Sequence, residues 1–191
     1  MERYRAIFSH LLHQPLARSV VAGKVFVTKP AEEVERRWGR CFGLLTVEPN
    51  DRPSLTLLEF IADTIKQAYY EPADASPARG ADHHRSERVQ ARFEAALRTA
   101  NHRIAEYLEG EELAADLDTL QALVGVALGP AVTLTTVGGA AAFVVHARRR
   151  NDYVVSEITG DRRQAQPPNP LHLFTQSLQG TLGPGDYLFC A

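Results

Sequence analysis

Residues 120–157 read LQALVGVALGPAVTLTTVGGAAAFVVHARRRNDYVVSE, and the fold turns on them. Apolar and β-branched side chains dominate, as they do on pleated, buried surfaces. Gly129-Pro130, Gly138-Gly139 and residues 148–151 interrupt them at short intervals. With Gly125, these breaks leave no apolar run long enough to cross a bilayer. The spacing predicts four consecutive strands, at 120–128, 131–137, 140–147 and 152–157, with connections so short that they imply antiparallel hairpins.

Upstream the period changes. Leu55, Leu58, Ile61, Ala62, Ile65 and Tyr69 recur at helical spacing, which predicts an amphipathic helix ending near Tyr70 with Ser54 as its N-cap. Val89, Phe93, Ala96, Leu97, Ala100, Ile104, Tyr107 and Leu108 line a second helix from about Ser86 to Leu108. A Pro/Ala/Asp/Gly-rich stretch joins the two, so residues 72–85 are expected to form a mobile linker. Earlier still, 20–28 is β-branched and aromatic, 31–37 suits one or two helical turns, and 40–47 is a near-continuous apolar strand closed by Glu48-Pro49-Asn50-Asp51-Arg52-Pro53. Trp38, Tyr69 and Tyr70 suit core or edge packing.

Downstream, 160–170 is a polar loop, Leu171–Leu178 is expected to be a short helix, and Gly183-Pro184-Gly185-Asp186 turns into a strand at 187–191. Strands, then two helices, then a run of antiparallel strands is the order of a layered α+β domain. One domain is expected to span 1–191. The sequence stops inside an apolar strand, as a piece excised from a longer protein does.

Composition narrows the function classes. A hydrophobic fraction of 45% and a charged fraction of 23% over 191 residues describe an ordinary globular domain. A net charge of −2 gives no general attraction to nucleic acid or an anionic membrane. The first residues contain no apolar stretch long enough for a signal peptide, so a soluble cytoplasmic protein is expected. Cys41 and Cys190 each sit in an apolar strand and read as reduced, buried thiols. There is no CxxC pair, GxSxG elbow or glycine-rich phosphate loop.

Four segments carry a resemblance. Ala95-Ala96-Leu97-Arg98-Thr99-Ala100-Asn101, Leu123–Leu128, Leu134–Val145 and Gly180–Cys190 are similar, in order and spacing, to segments of the metal-dependent type 2C protein phosphatases. Cys41–Glu48 resembles the first core strand of that family, which leads into its metal-binding Asp-Gly. The resemblance implies a layered α/β/β/α sandwich of antiparallel sheets flanked by helices. It also implies a centre of two Mn or Mg ions, which activate a water for attack on a phosphoester.

The sequence departs from the family where that centre is made. Glu48-Pro49 stands where Asp-Gly is expected and Gly138-Gly139 where Gly-Asp is expected, while the last Asp-Gly would follow Ala191. Glu48 and Asp51 remain as candidate carboxylate ligands for a hard cation, against the plainer role of turn acids. The Arg148-Arg149-Arg150 triplet, with Arg162-Arg163, is the candidate anion-binding cluster, against solvated loop arginines. His83-His84 sits in the linker or in the first turn of a helix, where neighbouring side chains diverge and suit a solvated loop better than a ligand set. Asp186 is expected to close its turn.

These features favour a catalytically deficient phosphatase-2C-like module that binds a protein partner or phosphoprotein. The alternatives are an active Mn- or Mg-dependent serine/threonine phosphatase represented by only part of its chain, and a structural domain without a ligand.

Overall fold

The computed structural model describes residues 7–8, 20–71, 83–110, 117–149, 152–159 and 169–191, apart from the side chains of 83–84 and 147–149. Strands β1 (Ala22–Val27) and β2 (Arg40–Val47) flank helix α1 (Glu32–Trp38). Helices α2 (Arg52–Tyr70) and α3 (His83–Gly110) follow. The remaining strands are β3 (Gln121–Leu128), β4 (Ala131–Val137), β5 (Ala142–Arg149), β6 (Asp152–Glu157), β7 (Leu178–Thr181) and β8 (Tyr187–Cys190). They form a five-stranded sheet ordered β1-β2-β3-β4-β7 and a three-stranded sheet ordered β6-β5-β8. Every pairing is antiparallel.

Strand alternation sorts the core into two layers. Phe26, Cys41, Leu45, Val47, Val124 and Val126 point from the five-stranded sheet toward α2 and α3. There they meet Leu58, Ile61, Ile65, Tyr69, Phe93 and Ile104, all buried. Phe42, Leu123, Val132 and Leu134 point the other way, toward Ala142, Leu188 and Cys190 of the second sheet. The period-2 strands and 3.6-period helices thus meet on one face and leave the opposite face for the second sheet. Of the four layers implied by the resemblance, the described residues build three. Among them, no helix covers the outer face of β6-β5-β8.

A polar knot ties the end of α2 to the start of β2. Tyr69 Oη donates to the Trp38 carbonyl at 2.6 Å and Tyr70 Oη to the Gly39 carbonyl at 3.0 Å. The Cys41 N–H is shared between Thr28 Oγ1 and Tyr70 Oη, at 2.9 and 3.0 Å. Gly39 is required here: its φ is 77°, and a Cβ would lie 2.2 Å from the Ala127 carbonyl oxygen. Two cations approach the Trp38 ring, with the guanidinium carbons of Arg37 and Arg92 at 4.8 and 4.4 Å from its centre.

The structure corrects four expectations. β4 and β5 form no hairpin: Gly138–Ala141 carries the chain from one sheet to the other, and β4 pairs with β7 instead. Leu171–Leu178 is not a helix, since only a single 3-10 turn at Pro170–His172 precedes β7. Asp51, not Ser54, caps α2: its carboxylate accepts the Ser54 N–H at 2.8 Å, with Arg52 and Pro53 forming the first turn. Finally, α3 begins at His83, so residues 83–85 of the expected linker are helical. The rest of that linker, 72–82, lies outside the described residues.

Candidate functional site

Four chain segments converge at one end of the sandwich. Pairing of Thr46 with Gln121 and of Ala122 with Val137 brings the residues after β2, before β3 and after β4 side by side. Ala191 exchanges two backbone hydrogen bonds with Ala141, at 2.7 and 2.8 Å, and so brings the end of β8 to the same place. Glu48, Thr119, Gly138-Gly139 and Ala191 therefore share this end, and Asp51 lies just beyond on the α2 cap. The site implied by the resemblance is assembled as a location.

Its backbone groups and one oxygen of Asp51 are already engaged. The Glu48 N–H donates to Thr119 Oγ1 at 3.1 Å, and that hydroxyl lies 3.0 Å from the Glu48 carbonyl, to which it donates. The Pro49 carbonyl accepts the Asp51 N–H at 3.1 Å. Asp51 spends its carboxylate on the helix cap. The Ser54 side chain and backbone N–H hold that carboxyl below its ordinary pKa by favouring the ionised form. The Glu48 side chain is exposed, and Gly139 has no side chain to offer.

A pair of hard cations needs several carboxylate and carbonyl oxygens aimed inward. These residues do not fit that demand. The carbonyls at 48 and 49 close local contacts, Asp51 faces its own helix, and among the described residues no three His, Cys, Asp or Glu side chains come together to hold a metal ion. Gly138 is fixed by geometry, with φ at 65° and a hypothetical Cβ 2.6 Å from the Leu120 carbonyl oxygen. At Gly139 a Cβ would meet nothing nearer than Gln121 Oε1, at 3.7 Å. Steric room for an acid exists there without the acid.

The two halves of the candidate site do not meet. β5 starts beside Ala191 and runs away from it, so Arg149 pairs with Asp152 at the far end of the strand. At about 3.3 Å per residue this is roughly 23 Å from Ala142. The side chains of Arg148 and Arg149 lie outside the described residues, as do Arg150, Arg162 and Arg163 and the side chains of His83 and His84. At that far end Asp186 closes its turn as expected: Oδ2 accepts the Gly183 N–H at 2.7 Å and lies 2.9 Å from His146 Nδ1. A cavity of about 210 Å³ opens beside it between the sheets, lined by Val132, Leu134, Val144, His146, Leu178 and Leu188 among others.

Thr119 was not visible as a site residue in the sequence. It lies 71 positions from Glu48, and no local pattern marks a hydroxyl that will clasp a distant peptide. The thiols are unreactive by placement. Burial raises Cys41 to about 12 and the half-buried Cys190 to about 11, and both are free.

No family model and no curated protein matches the sequence. Solved structures do match. PppA, a key regulatory component of the T6SS in Pseudomonas aeruginosa, aligns over 88% of this chain and 74% of its own, with a TM-score of 0.52 and 10% identity. The Mycobacterium tuberculosis serine/threonine phosphatase PstP/Ppp aligns over 89% of this chain and 76% of its own, with a TM-score of 0.50 and 14% identity. At such identities the likeness establishes the fold: the chain has the architecture of the type 2C phosphatases.

Proposed function

We propose that this chain is a catalytically deficient phosphatase-2C-fold module that works in the cytoplasm by binding a protein partner, phosphorylated or not. One observation carries the proposal. At the end of the sandwich where this fold would gather cations, the carbonyls of Glu48 and Pro49 and one carboxylate oxygen of Asp51 already accept hydrogen bonds from Thr119, Asp51 and Ser54. The fold does not supply an activity by itself; the residues at the site do. A regulatory role on the same architecture has a precedent in PppA, described as a regulatory component. Among the described residues no helix is long and apolar enough to cross a membrane, which suits a module that meets its partner in solution.

Glu48 and Asp51 act in this proposal as turn residues, not ligands. The proposal assigns Arg148, Arg149 and Arg150, where the sequence leaves β5, to an acidic or phosphorylated segment of the partner. The test is turnover of a chromogenic phosphate ester with and without Mn or Mg. No turnover above the metal-only rate is expected. Mn-dependent turnover that disappears in Glu48→Gln would instead establish a working centre built on Glu48.

A further inference from the structure

The cavity of about 210 Å³ between the sheets plays no part in the cation end or in the proposed function. Val132, Leu134 and Leu178 form its wall on the five-stranded sheet, and Val144 and Leu188 form the wall opposite. Gly180 and His146 also line it, and each has a feature that packing alone does not require.

Gly180 makes the room. It pairs with Val132, and Leu178 pairs with Leu134, so by alternation Gly180 faces the second sheet. A Cβ at this position would meet nothing within 4 Å. Neither a positive φ nor a close approach calls for glycine here, in contrast to Gly39 and Gly138. The effect of the missing side chain is to keep the cavity open. Gln179 and Thr181 border it too, but alternation sends their side chains to the other face.

His146 gives the cavity its one polar side chain, and the ring is held in place. Its Nδ1 lies 2.9 Å from Asp186 Oδ2, and the Asp186 side chain is only 10% exposed. The same oxygen accepts the Gly183 N–H at 2.7 Å, which fixes the carboxylate in turn. With Nδ1–H donated to that carboxylate, the neutral imidazole offers Nε2 as an acceptor. Among the described residues Nε2 has no partner.

We infer that this cavity binds a small uncharged ring bearing one hydroxyl, a monocyclic phenol, whose O–H donates to His146 Nε2. Size sets the class. An apolar cavity of about 150 Å³ holds benzene, so this one holds a single ring with a hydroxyl and a methyl group, and is too small for a nucleotide. Charge narrows it further. Among the described residues no Lys or Arg lines the cavity, and the Asp186 carboxylate beside His146 opposes an anion. Ordered water is a poor occupant, since it needs two to four polar partners and the side chains here offer one. The inference is independent of whether the chain turns over phosphoesters.

The test is titration of the full chain with p-cresol, followed by the methyl NMR signals of Val132, Leu134, Val144 and Leu188. Saturable shifts of these methyls are expected, with a Kd on the order of 1 mM or tighter. Toluene, which lacks the hydroxyl, should bind about five- to tenfold more weakly, the worth of one net hydrogen bond. Benzoate should bind more weakly than p-cresol. His146→Phe keeps a ring and removes the acceptor, so p-cresol should fall to the affinity of toluene while toluene is unchanged. Gly180→Leu fills the cavity and should abolish binding of both, with circular dichroism showing both variants folded. No saturable shift by about 10 mM overturns the proposal, as do equal affinities for p-cresol and toluene. A folded Gly180→Leu chain that binds normally overturns it too, and so does benzoate binding as tightly as p-cresol, which would mark an anion site.

Discussion

The two sheets differ in what lies on their outer faces. On the five-stranded sheet, α2 and α3 bring Leu57, Ile61, Ile65, Tyr69, Phe93 and Ile104 to full burial over Cys41, Leu45 and Val124. On the three-stranded sheet, Tyr153, Val155, Tyr187 and Phe189 remain more than half exposed. Both faces are apolar and both belong to antiparallel strands, so composition alone does not separate them. Covering does. The packing that stabilises the chain is concentrated on the helical side.

The largest expected effect tests that division directly. Phe93→Ala opens a cavity beneath Tyr69, whose ring centre is 6.2 Å away, and should cost about 3–5 kcal/mol. Tyr153→Ser, measured by denaturation, should stay within about 0.5 kcal/mol. Equal losses would mean that the second face is packed against something within the chain, and the contrast would fail.

Next comes the seam that closes the covered face. Asn101, on α3, is 5% exposed and clasps the backbone of Phe174, donating to its carbonyl and accepting its N–H, each at 3.2 Å. Asn101→Ala strands both groups and should cost about 1–3 kcal/mol. Asn101→Asp keeps the acceptor but sets a buried carboxylate oxygen against the Phe174 carbonyl, so a loss at least as large is expected at neutral pH. A clearly smaller loss would place the contribution in the bond from the Phe174 N–H alone.

Much of the covered side was legible in sequence, because helical periodicity in 55–69 and 89–108 is a local property and matches α2 and α3 within a few residues. The bare side was less so. Gly138-Gly139 has the composition of a hairpin turn, yet the chain there crosses between sheets, since β4 takes Leu178–Thr181 as its partner. That partner is four residues long, contains Gly180 and has almost no alternation to read. The cap of α2 lies three residues before the expected Ser54, because Pro53 suits the first helical turn and so belongs inside the helix. At the site, Glu48-Pro49 and Gly139 were legible as departures from the family pattern. The engagement of the Glu48 peptide by Thr119 was not, because it depends on a 3-10 turn at Leu117–Thr119, before β3, meeting the end of β2. The exposed aromatics followed the period-2 pattern, but a pattern does not say which face another layer will cover.

The thiols give a smaller contrast between the layers. Cys41 is fully buried under the helices and Cys190 is half-buried between the sheets, and burial raises both above their ordinary range. At pH 8 both are neutral thiols in the folded chain, so alkylation should be slow for each and faster at Cys190. Unfolding should make them equal. A Cys41 that reacts as fast as Cys190 in the native protein would show that the helical layer opens as readily as the gap between the sheets.

The smallest expected effect concerns the cap of α2. Ser54 holds the Asp51 carboxyl below its ordinary range, so the folded chain binds that proton less readily than the unfolded chain does. The cap's contribution is therefore complete above the unfolded carboxyl's pKa, about 3.9, and is lost as pH falls through the lower folded value. Asp51→Asn retains a capping oxygen and removes the titration. The difference in stability between wild type and variant should be constant near neutral pH and shrink below about pH 4. Because Asp51 is fully solvated, the charge-dependent part should also weaken with added salt. A difference that grows on acidification would reverse the sign, and would mean that the Asp51 carboxylate is a strained acid at the sandwich end and not the cap that anchors the covering helix.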